Sequence, residues 1–147
     1  MENIYIIEKN LFESDAPVFC HLVNCLGVWG SGIAKSMREI FPDVYEKYRD
    51  ICVKNEYLVL LGHTAIIQSD NRYIANMFTQ ERFGYDGKRY TSYDAFYDCL
   101  IHVRDFCEKN NINKIGKVLI KHRQDLINEN KSPIKSIYNP FPYITIF

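Results

Sequence analysis

Apolar and polar residues follow one another along the chain in a pattern that predicts alternating strands and helices. The segments "NIYIIE" and "PVFCHLVN" have the β-branched and aromatic content of strands, and the second is apolar enough to be covered on both faces. "YLVLLG", "HTAIIQS" and "RYIANMF" predict three further short strands, the last two joined by a hairpin turn at "DN". An antiparallel part of the sheet is therefore expected there.

Two successive helices are predicted between the second and third strands. Ile33, Met37 and Ile40 recur at helical spacing within residues 31 to 41, and Ser31 is placed to cap that helix. Pro42 ends the first run, because proline cannot continue a helix interior, and "DVYEKYRDICVKN" begins the second.

A long helix is predicted over "SYDAFYDCLIHVRDFCEKN". Its apolar residues Phe96, Leu100, Val103 and Cys107 fall on one face. "KVLIK" and the terminal "YITIF" predict two more strands. Strands that alternate with helices indicate an α/β domain with a mostly parallel or mixed sheet between helices, and such sheets bind ligands at the carboxyl ends of their strands.

Composition narrows the function classes. The 147 residues fit one domain over 1–147, and eighteen basic against eighteen acidic residues provide no basic face for nucleic acid. No apolar run reaches membrane-spanning length and the N-terminus has no long apolar region, so a soluble, cytoplasmic protein is expected. Five cysteines without a CxxC pair predict reduced, mostly buried thiols, and neither a zinc site nor a cofactor is expected.

Three closely spaced glycines follow the second strand in "NCLGVWGSGIAK". Gly30 and Gly32 open the predicted helix, where backbone N–H groups and the helix dipole favour an anion. The alternative is a glycine-rich turn without a ligand. A nucleotide P-loop is excluded by Ala34, and a dinucleotide fingerprint is disfavoured by Lys35 at the third glycine position.

The segments "YIIEKNLFES", "VNCLGVWGSGIAKSMREIFPDVYEKY" and "IANMFTQERFGYDGKRYTSYDA" resemble a macrodomain, over about residues 3 to 112. The likeness is to the branch of ADP-ribose 1″-phosphate phosphatases and the terminal ADP-ribose protein glycohydrolase. It implies a three-layer α/β/α fold around a mixed sheet, with ADP-ribose in a cleft across the strand ends.

The resemblance also implies roles for individual residues. Gly30, Ser31 and Gly32 match the loop around the pyrophosphate and distal ribose, Asn24 matches a ribose contact, and Asn10 stands where many macrodomains bind adenine through an aspartate. The ligand-binding residues implied in this way are Asn10, Leu11, Asn24, Gly27, Trp29, Gly30, Ser31, Gly32, Ile33 and Ala34.

Two residues are candidates for catalysis. His21 matches a histidine of the phosphatase branch, and Asp86 lies in the loop after "IANMF", from which it would orient a water or share a proton with His21. Each has a structural alternative. His21 fits a hydrogen-bonded core histidine, and Asp86-Gly87 has the composition of a simple turn.

Two departures from the family pattern bear on activity. Gln80 and Glu81 occupy the segment where the glycohydrolase branch has its catalytic lysine, so a lysine-adduct mechanism has no support. Residues 113–147 lack the second phosphate-binding loop of the family. From this we expect residues 122 to 140 to be irregular and mobile, "YITIF" to dock as an edge strand, and ADP-ribose to bind weakly.

The function predicted from these observations is binding of ADP-ribose and hydrolysis of ADP-ribose 1″-phosphate without a metal, in a monomer. A non-catalytic ADP-ribose-binding module is the main alternative. Hydrolysis of ADP-ribose from a modified protein, which would then be a partner, is another.

Overall fold

The computed structural model describes residues 4–6, 10–30, 32–84, 86, 88, 90–117 and 143–146. Its strands are β1 Ile4–Ile6, β2 Val18–Asn24, β3 Thr64–Ser69, β4 Arg72–Gln80, β5 Lys114–Lys117 and β6 Tyr143–Ile146. Its α-helices are α1 Gly32–Ile40, α2 Pro42–Lys54, α3 Tyr57–Leu60 and α4 Tyr93–Lys109, and a 3₁₀ turn covers Leu11–Glu13.

All six strands of the described residues form one sheet in the order β1-β6-β5-β2-β4-β3. Every neighbouring pair is parallel except β3 and β4, which form the predicted antiparallel hairpin. The turn between them contains Asp70 at a φ of 53°, a left-handed conformation that aspartate tolerates better than most residues. The predicted mixed sheet is thus confirmed.

Helices cover both faces of the sheet. Helix α4 packs Phe96, Leu100, Val103 and Cys107 on one face, as its periodicity predicts. The other face is covered by the 3₁₀ turn and by α1, α2 and α3, which pack residues such as Met37 on it. Three layers follow, and the carboxyl ends of β2 and β4 lie side by side because the strands are parallel neighbours.

Strand β6 corrects one prediction. It lies between β1 and β5 and pairs with both, whereas we expected "YITIF" to be an edge strand. An apolar alternating segment indicates a strand but does not say which strands flank it, because the partners are distant in sequence. The predicted irregularity of residues 122 to 140 lies outside the described residues.

Three local predictions are also corrected. "YLVLLG" forms helix α3 and not a strand, because a short apolar run without a clear period fits either element. Ile40 is half exposed at the last position of α1, where the chain turns towards Pro42 and away from the core. Strand β5 begins at Lys114, before the predicted "KVLIK", most of which lies outside the described residues.

Candidate functional site

Asn24, at the end of β2, shapes the loop that carries the glycines. Its Oδ1 accepts hydrogen bonds from the backbone N–H groups of Leu26 (2.9 Å) and Val28 (3.3 Å), and its Nδ2 donates to the carbonyl of Val28 (2.8 Å). Asparagine favours such turns because its amide substitutes for backbone partners. The side chain predicted to contact the ribose therefore holds the loop itself.

Tyr48 ties this loop to α2. Its hydroxyl is within hydrogen-bonding distance of the Asn24 carbonyl (2.7 Å) and of Asn24 Oδ1 (3.0 Å), and the residue is fully buried. Burial raises the pKa of the Tyr48 hydroxyl, so it remains a proton donor at neutral pH. The buried hydrogen bond from Tyr48 on α2 therefore fixes the position of the loop.

The three glycines of the loop differ in backbone φ and in the space available for a side chain. Gly27 has a φ of 77° and packs against α2, where an added Cβ would lie 3.4 Å from that of Cys52. Gly32 has a φ of 57°, and an added Cβ would meet none of the described residues within 4 Å. Of the described residues, a Cβ at Gly30 would meet Val28 alone, at an ordinary 3.7 Å. Packing within the described residues thus does not demand glycine at Gly30, which is compatible with close approach of a ligand to the backbone.

Trp29 does not face solvent. It is 1% exposed, stacks on Tyr48 with ring centroids 5.0 Å apart, and meets Tyr45 at 5.2 Å. Leu11 is likewise buried, at 2% exposure, in the same apolar cluster. These two predicted ligand contacts therefore belong to the core beneath the loop in this conformation.

The remaining predicted ligand contacts are more accessible. Asn10 is exposed and caps the 3₁₀ turn, its Oδ1 accepting from the N–H of Phe12 at 3.1 Å. Ile33 and Ala34 are half-buried in the first turn of α1. Ser31, which we predicted to cap α1 and to bind the phosphate, lies outside the described residues.

His21 lies on β2 and is buried, with 2% of its surface exposed. Its Nε2 is 2.7 Å from Oδ1 of Asn76, its register partner on β4. Burial lowers the pKa of His21 to about 4, although the bond to Asn76 opposes this shift, so the ring is neutral at pH 7. Its second nitrogen, Nδ1, has no hydrogen-bond partner among the described residues.

Asp86 has different surroundings. It is exposed, and its carboxylate accepts a hydrogen bond from the N–H of Lys88 at 3.1 Å and lies 3.6 Å from the Lys88 ammonium. The hydrogen bonds from Lys88 and from the Tyr90 hydroxyl lower the pKa of Asp86, so it is ionised at neutral pH. In the described part of the chain, His21 and Asp86 have separate partners and no direct bond joins them.

Hydrogen bonds also connect the ends of β2 and β4. The N–H of Cys25 lies 3.1 Å from the carbonyls of both Gln80 and Glu81, and the Gln80 side chain contacts Thr91 at 3.1 Å. Gln80 is thus part of the link between the two loops.

Sequence reasoning missed Asn76 and Tyr48. Asn76 had one usable signal, since it is an amide in the middle of an otherwise apolar strand segment, "RYIANMF". No local signal indicated that the hydroxyl of Tyr48 would reach back 24 residues to Asn24.

The described residues also bear on metal binding and membrane insertion. They contain no group of three or more histidine, cysteine, aspartate or glutamate side chains placed to hold a metal ion. None of their helices combines the length and the apolar character that crossing a bilayer requires. All five cysteines are free thiols, and four of them are buried, as predicted.

Several solved structures with the same architecture are macrodomains. The macrodomain of Thermus aquaticus DarG superposes with a TM-score of 0.75 at 16% identity, covering 98% of this chain and 97% of that one. Thermosipho africanus DarTG in complex with ADP-ribose gives a TM-score of 0.76 at 19% identity, covering 99% of this chain and 42% of the other. The protein has the macrodomain fold, and the predicted three-layer α/β/α class is confirmed.

The chain is also similar in sequence to several curated ADP-ribose 1″-phosphate phosphatases. The chain is 32% identical over 100 residues to an ADP-ribose 1″-phosphate phosphatase of Meyerozyma guilliermondii, covering 57% of each chain. It is 38% identical over 85 residues to one of Candida albicans, covering 53% of each. The chain thus spans about half the length of the curated relatives it matches, and no family model matches it.

Proposed function

We propose that this protein binds ADP-ribose and hydrolyses ADP-ribose 1″-phosphate to ADP-ribose and phosphate. The observation that carries the proposal is the loop after β2. It is fixed by Asn24, leads into the N-terminus of α1, and leaves space above Gly30 and Gly32. Supporting it are relatives that are named as phosphatases for this substrate.

In the proposed complex, backbone N–H groups of residues 30 to 32 hold the phosphates and Asn10 contacts the adenine. Asn24 contributes by holding the loop in shape, because both atoms of its amide already bond to that loop. Gly27, Trp29 and Leu11 support the loop from the core. Ile33 and Ala34 line the first turn of α1 beside the phosphates.

Hydrolysis requires water to attack phosphorus while the bond from phosphorus to the ribose oxygen breaks and that oxygen takes up a proton. Asp86 is ionised and exposed, which suits a carboxylate that orients the attacking water. His21 is the second proposed catalytic residue. Its ring is neutral at pH 7, which disfavours it as the proton donor to the leaving oxygen.

A non-catalytic ADP-ribose-binding module is the second candidate. It is favoured by the separation of the two catalytic candidates into different environments, His21 in the core and Asp86 on the surface. Such a module would bind ADP-ribose that is attached to a modified protein. Further proposals are a single domain over 1–147, a monomeric state and a cytoplasmic location.

Titration calorimetry with ADP-ribose tests the binding site. We expect Gly30→Ala to reduce affinity at least tenfold, about 1.4 kcal/mol, because the new methyl group fits the protein but occupies space beside the bound phosphate. Leu26→Ala, at an exposed position of the same loop, is the matched control and should bind normally. Equal affinity of the Gly30 variant and the control would reject this loop as the phosphate site.

Phosphate release then separates the candidate functions. Release from ADP-ribose 1″-phosphate supports the phosphatase, and binding of ADP-ribose without release supports the binding module. Loss of ADP-ribose from a modified protein substrate, with no phosphate released from ADP-ribose 1″-phosphate, would indicate the hydrolase of modified proteins.

A further inference from the structure

His21 and Asn76 form a buried polar pair in an otherwise apolar layer. They are register partners on β2 and β4, with 2% and 0% of their surfaces exposed. The distance of 2.7 Å between His21 Nε2 and Asn76 Oδ1 is that of a good hydrogen bond. A buried imidazole with one such bond has a defined tautomer, provided that the orientation of the amide is known.

The surroundings of Asn76 define that orientation. Its Nδ2 donates to the carbonyl of Ala65 at 3.0 Å and lies 3.4 Å from the carbonyl of Ile74. With the amide reversed, Oδ1 would face these two carbonyl oxygens, acceptor against acceptor, and both bonds would be lost. The oxygen of the amide therefore faces His21.

It follows that Nε2 of His21 carries the proton. A neutral imidazole has one N–H, so the other nitrogen, Nδ1, presents a lone pair. Nδ1 is buried and has no partner among the described residues. Leaving a buried acceptor unpaired is unfavourable, so a bound partner would recover free energy there.

The partner that fits Nδ1 is a hydroxyl group. The ring of Trp29 meets the ring of His21 edge to face, with centroids 4.8 Å apart. The Nε1–H of Trp29 is a hydrogen-bond donor that is also buried and has no partner among the described residues. An O–H group is both donor and acceptor, so it can bond to either of these nitrogens.

We infer that Asn76 is a positioning residue: it holds His21 as the Nε2–H tautomer, so that Nδ1 accepts a hydrogen bond from an O–H group of a molecule bound at the loop after β2. Either a ribose hydroxyl or the attacking water supplies that group. The inference rests on the proposed function for the ligand, but the tautomer itself does not depend on it.

Nitrogen NMR of the ligand-free protein at pH 7 tests the tautomer directly. Long-range proton–nitrogen correlations should show His21 Nε2 protonated and Nδ1 unprotonated. The opposite tautomer, a doubly protonated ring or fast averaging of the two tautomers would overturn the inference. This result is independent of whether the protein binds or hydrolyses any ADP-ribose compound.

Variants test the role of Asn76. Asn76→Leu removes the acceptor for Nε2–H and should lose the fixed tautomer. Thr79→Val is the control, since Thr79 is equally buried on the same strand and its hydroxyl has no partner among the described residues. An unchanged His21 tautomer in Asn76→Leu would show that Asn76 does not position the ring. If Asn76→Leu does not fold, the spectrum of the unmodified protein still decides the tautomer.

The source of the hydroxyl is identified with ligands. If a ribose hydroxyl bonds to Nδ1, ADP-ribose alone should shift the Nδ1 resonance, and Asn76→Leu should raise KM about tenfold. If the attacking water does, Asn76→Leu should lower kcat about tenfold with KM unchanged. Failure of both, with the expected tautomer and measurable ADP-ribose binding, would refute the role of Nδ1 and leave the binding function standing.

Discussion

The loops that follow β2 and β4 are held in different ways. The loop after β2 is anchored by long-range contacts, with Asn24 bonded to Tyr48 on α2 and Trp29 buried among aromatic rings. In the loop after β4, Asp86 contacts Lys88, two residues away, and remains exposed.

Changes in the two loops should therefore affect different properties of the protein. The loop after β2 is preorganised by its buried, hydrogen-bonded anchors, so changing an anchor should lower both the free energy of unfolding and the affinity for the ligand. A change at Asp86 alters charge at an exposed site and should leave folding unaffected.

Trp29→Ala should have the largest effect. The side chain is 1% exposed and stacked on Tyr48, so its removal leaves a cavity that costs about 3–5 kcal/mol. Denaturant unfolding at neutral pH measures this, and Trp29→Phe, which keeps an aromatic ring, should cost less. A loss below about 1 kcal/mol would mean that the loop is not anchored through Trp29.

Acid should destabilise the protein through His21. Because the folded pKa of His21 is lowered from 6.5 to about 4, the unfolded chain binds the extra proton first as the pH falls through this window. Above about pH 6.5 the His21 titration does not affect the free energy of unfolding. Between about pH 6.5 and 4 it lowers that free energy progressively, by about 3 kcal/mol in all.

The measurement is unfolding free energy against pH for the protein and for His21→Gln. Other groups titrate in both proteins, so the difference between the two curves isolates the imidazole. Parallel curves from pH 7 to about 4 would show that folding does not lower the pKa of His21.

Local patterns predicted local structure well and distant pairing poorly. The period of Phe96, Leu100 and Val103 is contained in one helix, so sequence alone places their buried face. The position of β6 depends on pairing of Ile144 with Ile4 and with Ile115, which no local pattern encodes.

The same limit applies to the candidate site. The glycine loop was visible as a motif, because its residues are consecutive in the chain. The bond between His21 and Asn76 spans 55 residues and exists only because β2 and β4 are neighbours in the sheet. A likeness to a family indicated His21, but its partner and tautomer required the fold.

Tyr48→Phe should have a moderate effect. The ring stays in place while the hydrogen bond to Asn24 is lost, which costs about 1–2 kcal/mol and loosens the loop. We therefore expect weaker ADP-ribose binding in calorimetry as well as lower stability. Tyr45→Phe is the matched control, since within the described part of the chain that hydroxyl makes a single, long contact, 3.4 Å from the carbonyl of Gly27. Equal effects of the two variants would mean that the bond to Asn24 does not hold the loop.

Asp86→Asn should have the smallest effect on stability and a large effect on turnover. Asp86 is exposed, and its partners among the described residues, Lys88 and Tyr90, are close to it in sequence, so the denaturation midpoint should not change. If its charge orients the attacking water, phosphate release from ADP-ribose 1″-phosphate should fall about 100-fold, as for other residues that assist proton transfer. Asp50→Asn, in an exposed ion pair with Lys54 on α2, is the matched control and should change neither quantity. Unchanged phosphate release in Asp86→Asn would mean that Asp86 only forms the turn. Any catalytic contribution of the loop after β4 would then come from a residue other than Asp86.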